Sequence, residues 1–287
     1  MPGIASLLPS ATEIVLALGL GDRLVGVTDE CVATADVPVV VRARQPAGLT
    51  AGEIDAWVRD HAADGLYEVD DALLARLAPD VVLTQDLCHV CALPAGDVDL
   101  ALTRVGCPSH VVTLRPSTLA GVLASVAEVA TAAGETDRGA TVVADLRARL
   151  DAVAAAVAGR PPVPTLVLEW LDPPFTAGHW VPDVVAAAGG LALLGTSGTP
   201  SGPTSWETAV ASDPTVVVLS PCGTPAAQAW EQADLLPEQL RRRHLVVLDL
   251  AQPGPNLVDA VEILAAALHP GADVAVRCQR VGAHSRT

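Results

Sequence analysis

The most reactive side chains in this chain recur at one kind of place. Cys31, Cys88, Cys91 and Cys222 each follow a short apolar run of strand type, and His89 and His179 stand in similar segments. Thiolate and imidazole are the donors that zinc and iron prefer. Cys88-His-Val-Cys91 is a single CxxC with no second copy, so a metal expectation needs Cys31, Cys88, Cys91, Cys222 and His179 to converge on one ion or iron–sulfur cluster. Against it stands the ordinary use of a buried thiol as a small hydrophobe. Redox work by Cys88 and Cys91 would need a thioredoxin-like setting, and the rest of the chain does not supply one.

A second concentration lies between Leu166 and Gly190. Trp170, Phe175, His179 and Trp180 fall there, in a chain with only five Trp, one Tyr and one Phe. Pro173 and Pro174 fix φ and remove two backbone donors, so the segment reads as a strand over 165–169, a rigid loop, and an apolar helix over 181–188. Aromatics and an imidazole presented rigidly at a strand's carboxyl end suit a binding wall. The plainer reading is a proline-stiffened turn whose tryptophans fill a core. Glu169, Asp172 and His179 form an acid–base set only if the loop folds them together. The run Gly195 to Pro203, rich in Gly, Ser and Thr, is expected to be a loop that orders on binding, or a plain connector.

Composition removes several classes of function. All seventeen basic residues are arginine, so no lysine is available for Schiff-base chemistry or a phosphate-binding P-loop. A formal net charge of −16 argues against a nucleic-acid partner. Gly19-Leu-Gly21 follows a helix and lacks a third glycine, and the chain contains neither Gly-x-Ser-x-Gly nor His-Glu-x-x-His. The start has no positive n-region and no continuous apolar h-region before Pro9. A cytoplasmic protein is therefore expected, with its six cysteines as thiols or ligands and not as structural disulfides.

The elements that must position these residues alternate. Strands are expected at 4–8, 24–28, 81–84 and 110–114, with helices at 12–18, 51–62, 70–77 and 101–105. Ser10 and Glu13 are read as a capping box. An Ala-rich helical stretch then covers 117–133 and 137–158, with one Gly-Glu break. Alternation resumes with strands at 165–169, 192–194, 216–219 and 245–248, and helices at 181–188, 206–211, 237–242 and 257–268. The fold class is α/β: two Rossmann-like lobes, 1–115 and 161–287, bridged by a long helical region at 116–160. Ligands of such lobes sit beyond the carboxyl ends of the strands, so a cleft between the lobes is the expected site.

These stretches together resemble a known family. Ser6-Leu-Leu-Pro-Ser-Ala-Thr-Glu-Ile-Val-Leu-Ala-Leu-Gly, Leu77-Ala-Pro-Asp-Val-Val-Leu, Asp172-Pro-Pro-Phe-Thr-Ala-Gly, Ser205-Trp-Glu and Pro253-Gly-Pro-Asn-Leu-Val occur in family order. The chain is similar to the vitamin B12-binding proteins of ABC importers, helical-backbone binding proteins whose relatives carry haem and siderophores. The resemblance implies two lobes bridged by one rigid helix and a ligand held between them. It also implies a surface Glu on each lobe for arginines of a permease. Glu207 matches the second-lobe position, whereas the first-lobe position falls on Ala72, beside Asp71, which argues against permease docking. Glu30 and Gln85 stand where the family places aromatics.

The expected function is binding of cobalamin, another corrinoid or a related metal-bearing small molecule, without catalysis. Ser10, Glu30, Gln85, Trp170, Phe175, His179, Trp180 and Trp206 are its candidate contacts. The alternative is a zinc- or iron–sulfur-dependent enzyme on the same scaffold, using the cleft cysteines.

Overall fold

A computed structural model describes residues 2–31, 36–46, 48–61, 65–86, 95–224, 226–277 and 285–286. The chain divides into two compact units, one of residues 1–115 with 123–143, the other of residues 116–122 with 144–287.

The sheet of the first unit is built from runs apolar enough to be buried on both faces, as parallel strands require. Its strands are β1 (Ile4–Ser6), β2 (Leu24–Thr28), β3 (Val39–Ala43), β4 (Tyr67–Val69), β5 (Val81–Gln85) and β6 (His110–Leu114). They lie in the order β4-β3-β2-β1-β5-β6. Every pairing is parallel except β3 with β4. All five residues of β5 are buried. The helices are α1 (Pro9–Ala17), α2 (Ala51–His61), α3 (Asp71–Leu77) and α4 (Ala95–Val105), followed by α5 (Leu119–Ala132) and α6 (Thr136–Val157). Leu74 of α3 with Val98 and Leu102 of α4 pack on Val40, Val41 and Val82 of the sheet. Each such side chain taken from water stabilises the fold by roughly 1.5–3 kcal/mol.

Several boundaries depart from the sequence expectation for identifiable reasons. The capping box at Ser10 does not form. Pro9 opens α1, because its fixed φ and missing N–H suit the first helical position; Leu8 is the N-cap with no side-chain cap bond, and Ser10 is buried inside the first turn. Strands β3 and β4 were not expected. β3 begins just after Pro38 and β4 has only three residues, so neither shows a full alternating period. The Ala-rich stretch is two helices, and Gly139 lets them approach: a Cβ there would lie 2.4 Å from the Ala130 methyl. Arg23, buried in the first unit, donates to the carbonyl of Ala133 at 2.8 Å, just past the end of α5. Helix α6, 22 residues long, runs from one unit into the other.

The second unit has β7 (Val163–Leu171), β8 (Pro174–Thr176), β9 (Gly190–Leu193), β10 (Gly202–Pro203), β11 (Val216–Leu219), β12 (His244–Val247) and β13 (Ser285–Arg286). Its helices are α7 (Val181–Ala187), α8 (Trp206–Ala211), α9 (Ala226–Glu231), α10 (Glu238–Arg241) and α11 (Asn256–Leu268). β9, β7, β11 and β12 run parallel, while β8 folds back antiparallel on the outer half of β7. The segment expected as a rigid loop at Asp172-Pro-Pro is thus the turn of a hairpin, with a cis Asp172–Pro173 bond. Among the described residues no helix is long and apolar enough to cross a membrane.

A buried ion cluster ties α6 to α11 within the second unit. Arg149 donates from Nε to Glu262 Oε1 at 2.8 Å and also bonds Asp259, while the backbone N–H of Arg277 donates to Glu262 Oε2 at 3.1 Å. Burial alone would raise the Glu262 carboxyl, but the bonds from Arg149 and Arg277 win and hold it below its ordinary 4.5. A carboxylate with a lowered folded pKa contributes stability in full above its unfolded value and loses it as pH falls through the folded one. Arg149→Met leaves Glu262 buried without its main cationic partner, with only Arg277 still facing it, so urea unfolding at neutral pH should show a loss of about 3–5 kcal/mol. The variant should also lack the share of wild-type stability that disappears as pH falls below 4.5; an unchanged midpoint and unchanged acid profile would contradict this account.

Candidate functional site

In a doubly wound sheet the crevice opens where neighbouring strands send their connections opposite ways. In the first unit that point is between β1 and β5, since β1 lies between β2 and β5. Beyond β1, Ser6 Oγ donates to the Leu8 carbonyl at 3.1 Å, and Thr12 Oγ1 donates to Ser6 Oγ at 2.8 Å. Thr12 Oγ1 also lies 3.1 Å from Cys31 Sγ, so the Cys31 thiol turns back toward α1. Burial pushes that thiol above its ordinary value in spite of the Thr12 contact. A thiol kept protonated is a poor nucleophile and a poor metal ligand.

Glu30, just past β2, is exposed, yet its carboxyl is pushed up to about 7, first by the protein packed around it and then by the charge of Asp29. Gln85 closes β5 and is buried opposite Leu114. Ser10 is also buried, so of the three first-unit candidates only Glu30 meets solvent. Cys88, His89 and Cys91 lie outside the described residues.

The second unit has its switch point between β7 and β11. Trp170 and Phe175 face each other across the β7–β8 hairpin, both half-buried, and Trp170 Nε1 donates to the Asp172 carbonyl at 3.0 Å. That bond folds the indole over the turn. Trp180 is buried instead, and its Nε1 donates to the Leu250 carbonyl at 2.8 Å. The Leu250 N–H in turn donates to Ser220 Oγ at 2.9 Å, and the Cys222 N–H donates to the Glu169 carbonyl at 3.2 Å.

His179 sits at the centre of this edge. Its φ is +51°, a conformation that favours glycine. Two bonds hold it: its N–H donates to Thr199 O at 2.6 Å, and the Gly198 N–H donates to its carbonyl at 3.0 Å. Gly178 must be glycine, because a Cβ there would lie 2.4 Å from Thr199 O and 2.5 Å from Ser201 N. The Gly195 to Pro203 run is therefore no free rim. It is strapped across Gly178 and His179, with Ser201 Oγ accepting from the Gly178 N–H at 3.0 Å. The imidazole stacks on Trp180 with ring centroids 5.6 Å apart, and burial lowers its pKa.

Two second-unit candidates lie elsewhere. Trp206, in the first turn of α8, is half-buried and packs against the core formed by Leu166, Leu219 and Leu236. Glu207 is fully exposed beside it, its carboxyl held low by its own backbone N–H and by Ser205. In the first unit Asp71, beside Ala72, is paired with Arg104 at 3.0 Å.

Among the described residues no group of three or more His, Cys, Asp or Glu side chains is arranged to hold a metal ion. The expectation of zinc or an iron–sulfur cluster gains no support. Sequence reasoning gave no role to Thr12 or Leu250, and it treated Thr199 and Ser201 only as part of the Gly195 to Pro203 run. Leu250 contributes only its backbone, which no residue type reveals.

Comparison with known proteins agrees with this architecture. The chain is 26% identical over 265 residues to the vitamin B12-binding protein of Vibrio cholerae serotype O1, covering 90% of this chain and 86% of the relative. A solved periplasmic heme-binding protein from Pseudomonas aeruginosa superposes with a TM-score of 0.73 at 23% identity, covering 100% of this chain and 99% of that one. The solved periplasmic vitamin B12-binding protein of Vibrio cholerae gives 0.64 at 22% identity, over 93% of this chain and 97% of that one. The model of the periplasmic binding protein family matches residues 4–247, most of both units, and the chain belongs to that family.

Proposed function

We propose that this chain is a non-catalytic binding protein for a corrinoid, with cobalamin as the first candidate. The observation that carries the reading is the Trp170–Phe175 pair, two half-buried aromatics opposite each other on the β7–β8 hairpin, at the carboxyl end of the strand that borders the switch point. A flat, largely apolar macrocycle matches such a surface, and its burial there supplies the main attraction. The 26% identity to a vitamin B12-binding protein across 90% of the chain supports the same ligand class. His179 adds a polar contact beside the pair. Glu207, exposed on α8, is the group that a membrane partner's arginine would meet.

Titration with hydroxocobalamin, following tryptophan quenching and the cobalt bands, tests the reading. Saturable quenching at micromolar ligand is expected, with hemin as competitor. Failure of both compounds to quench, or a broad sulfur-to-iron absorption or stoichiometric zinc in the purified protein, would instead favour the enzyme built on Cys31, Cys88, Cys91 and Cys222.

Two substitutions separate wall from core. Phe175→Ala should weaken hydroxocobalamin binding by about 1–2 kcal/mol, roughly five- to thirtyfold in Kd. Trp206→Ala should leave Kd close to wild type while lowering stability by roughly 1–3 kcal/mol. The reverse pattern in a paired binding and denaturation series would show that the wall has been assigned to the wrong aromatics.

A further inference from the structure

The surroundings of His179 restrict what its ring can offer a ligand. The backbone is fixed at φ +51° by the strap through Thr199 and Gly198, and Gly178 leaves no room for it to shift. The ring rests on Trp180, which is itself anchored through Leu250. In this pose Nδ1 is buried and has no hydrogen-bond partner among the described residues.

The buried nitrogen decides the tautomer. A proton on Nδ1, in either the Nδ1–H tautomer or the imidazolium, would be a buried donor with nothing to accept it. Buried donors without partners are the rarer and costlier defect; an unused acceptor is tolerated better. The proton therefore belongs on Nε2. A metal-bound imidazole needs the opposite arrangement, with a lone pair on the coordinating nitrogen and the other N–H donated to a nearby acceptor. Ligation through Nε2 would move the proton to Nδ1, where no acceptor receives it.

We propose that His179 acts on the ligand as an Nε2–H donor to a carbonyl or carboxylate oxygen on its periphery, and not as an axial ligand of its metal. The proposal rests on the tetrapyrrole-type reading above and deepens it. It asks for a ligand with amide or acid side chains around the ring, and it makes His179 a specificity residue indifferent to the metal. It also revises the sequence expectation that grouped His179 with the cysteines as a metal donor.

The test compares wild type, His179→Ala and His179→Gln against hydroxocobalamin and against dicyanocobinamide, whose two axial positions are already filled by cyanide. His179→Ala should weaken both compounds by a similar factor, about fivefold. His179→Gln, which keeps an N–H, should recover much of the loss, and the cobalt bands of bound hydroxocobalamin should be the same in all three proteins. A loss confined to hydroxocobalamin, with altered cobalt bands and no rescue by Gln, would overturn the proposal in favour of ligation. Equal affinities in all three proteins would show that His179 does not touch the ligand. Wild type that binds neither corrinoid but binds hemin is tested with hemin and metal-free protoporphyrin IX in the same way. Wild type that binds none of these compounds refutes the function reading itself, a result distinct from any pattern among the variants.

Discussion

The second unit depends on one buried hydrogen bond, from the indole N–H of Trp180 to the carbonyl of Leu250. A buried indole must place its N–H, and a buried carbonyl must accept something; each resolves the other's desolvation. Because Leu250 also donates to Ser220, the segments that follow β7, β11 and β12 are joined side by side at their carboxyl ends. The hairpin, the strap and His179 are all placed relative to that joint.

Desolvation by local packing likewise decides what the Cys31 thiol and the His179 imidazole can offer. Packing around Cys31 favours the protonated thiol, and Thr12 directs it back toward α1. Packing around His179 lowers its basicity and leaves one nitrogen with no acceptor. Metal chemistry needs anionic sulfur or an imidazole supported from behind. Neither is provided at Cys31 or at His179, although the residue types are the right ones.

Much of the fold was legible in the chain. β2, β6, α8 and β11 fall on the residues expected from apolar runs and their punctuation; for β2 and β11 the reason is that a strand buried on both faces needs an unbroken apolar run. The short or proline-bordered elements were not legible. β3, β4 and β8 depend on partners far along the chain, and Pro174 in β8 looks like a loop residue until β7 is seen beside it. The site was legible only in part. Trp170, Phe175 and His179 stand near one strand end, where their spacing in a single segment puts them, whereas Trp180 carries the same residue type as Trp170 and turns into the interior.

By itself the sequence determined the α/β class, the alternation of elements and the long helical region between two α/β halves, because these follow from composition, periodicity and local turn chemistry; the family came from the resemblance of particular stretches such as Asp172-Pro-Pro-Phe-Thr-Ala-Gly. Tertiary structure alone decided which tryptophan faces outward, which nitrogen of His179 is stranded, and which loop straps it down. Those outcomes depend on backbone carbonyls and amides such as Leu250, Thr199 and Gly198, brought close by folding. Every residue has such groups, so no pattern of side chains announces where they will meet.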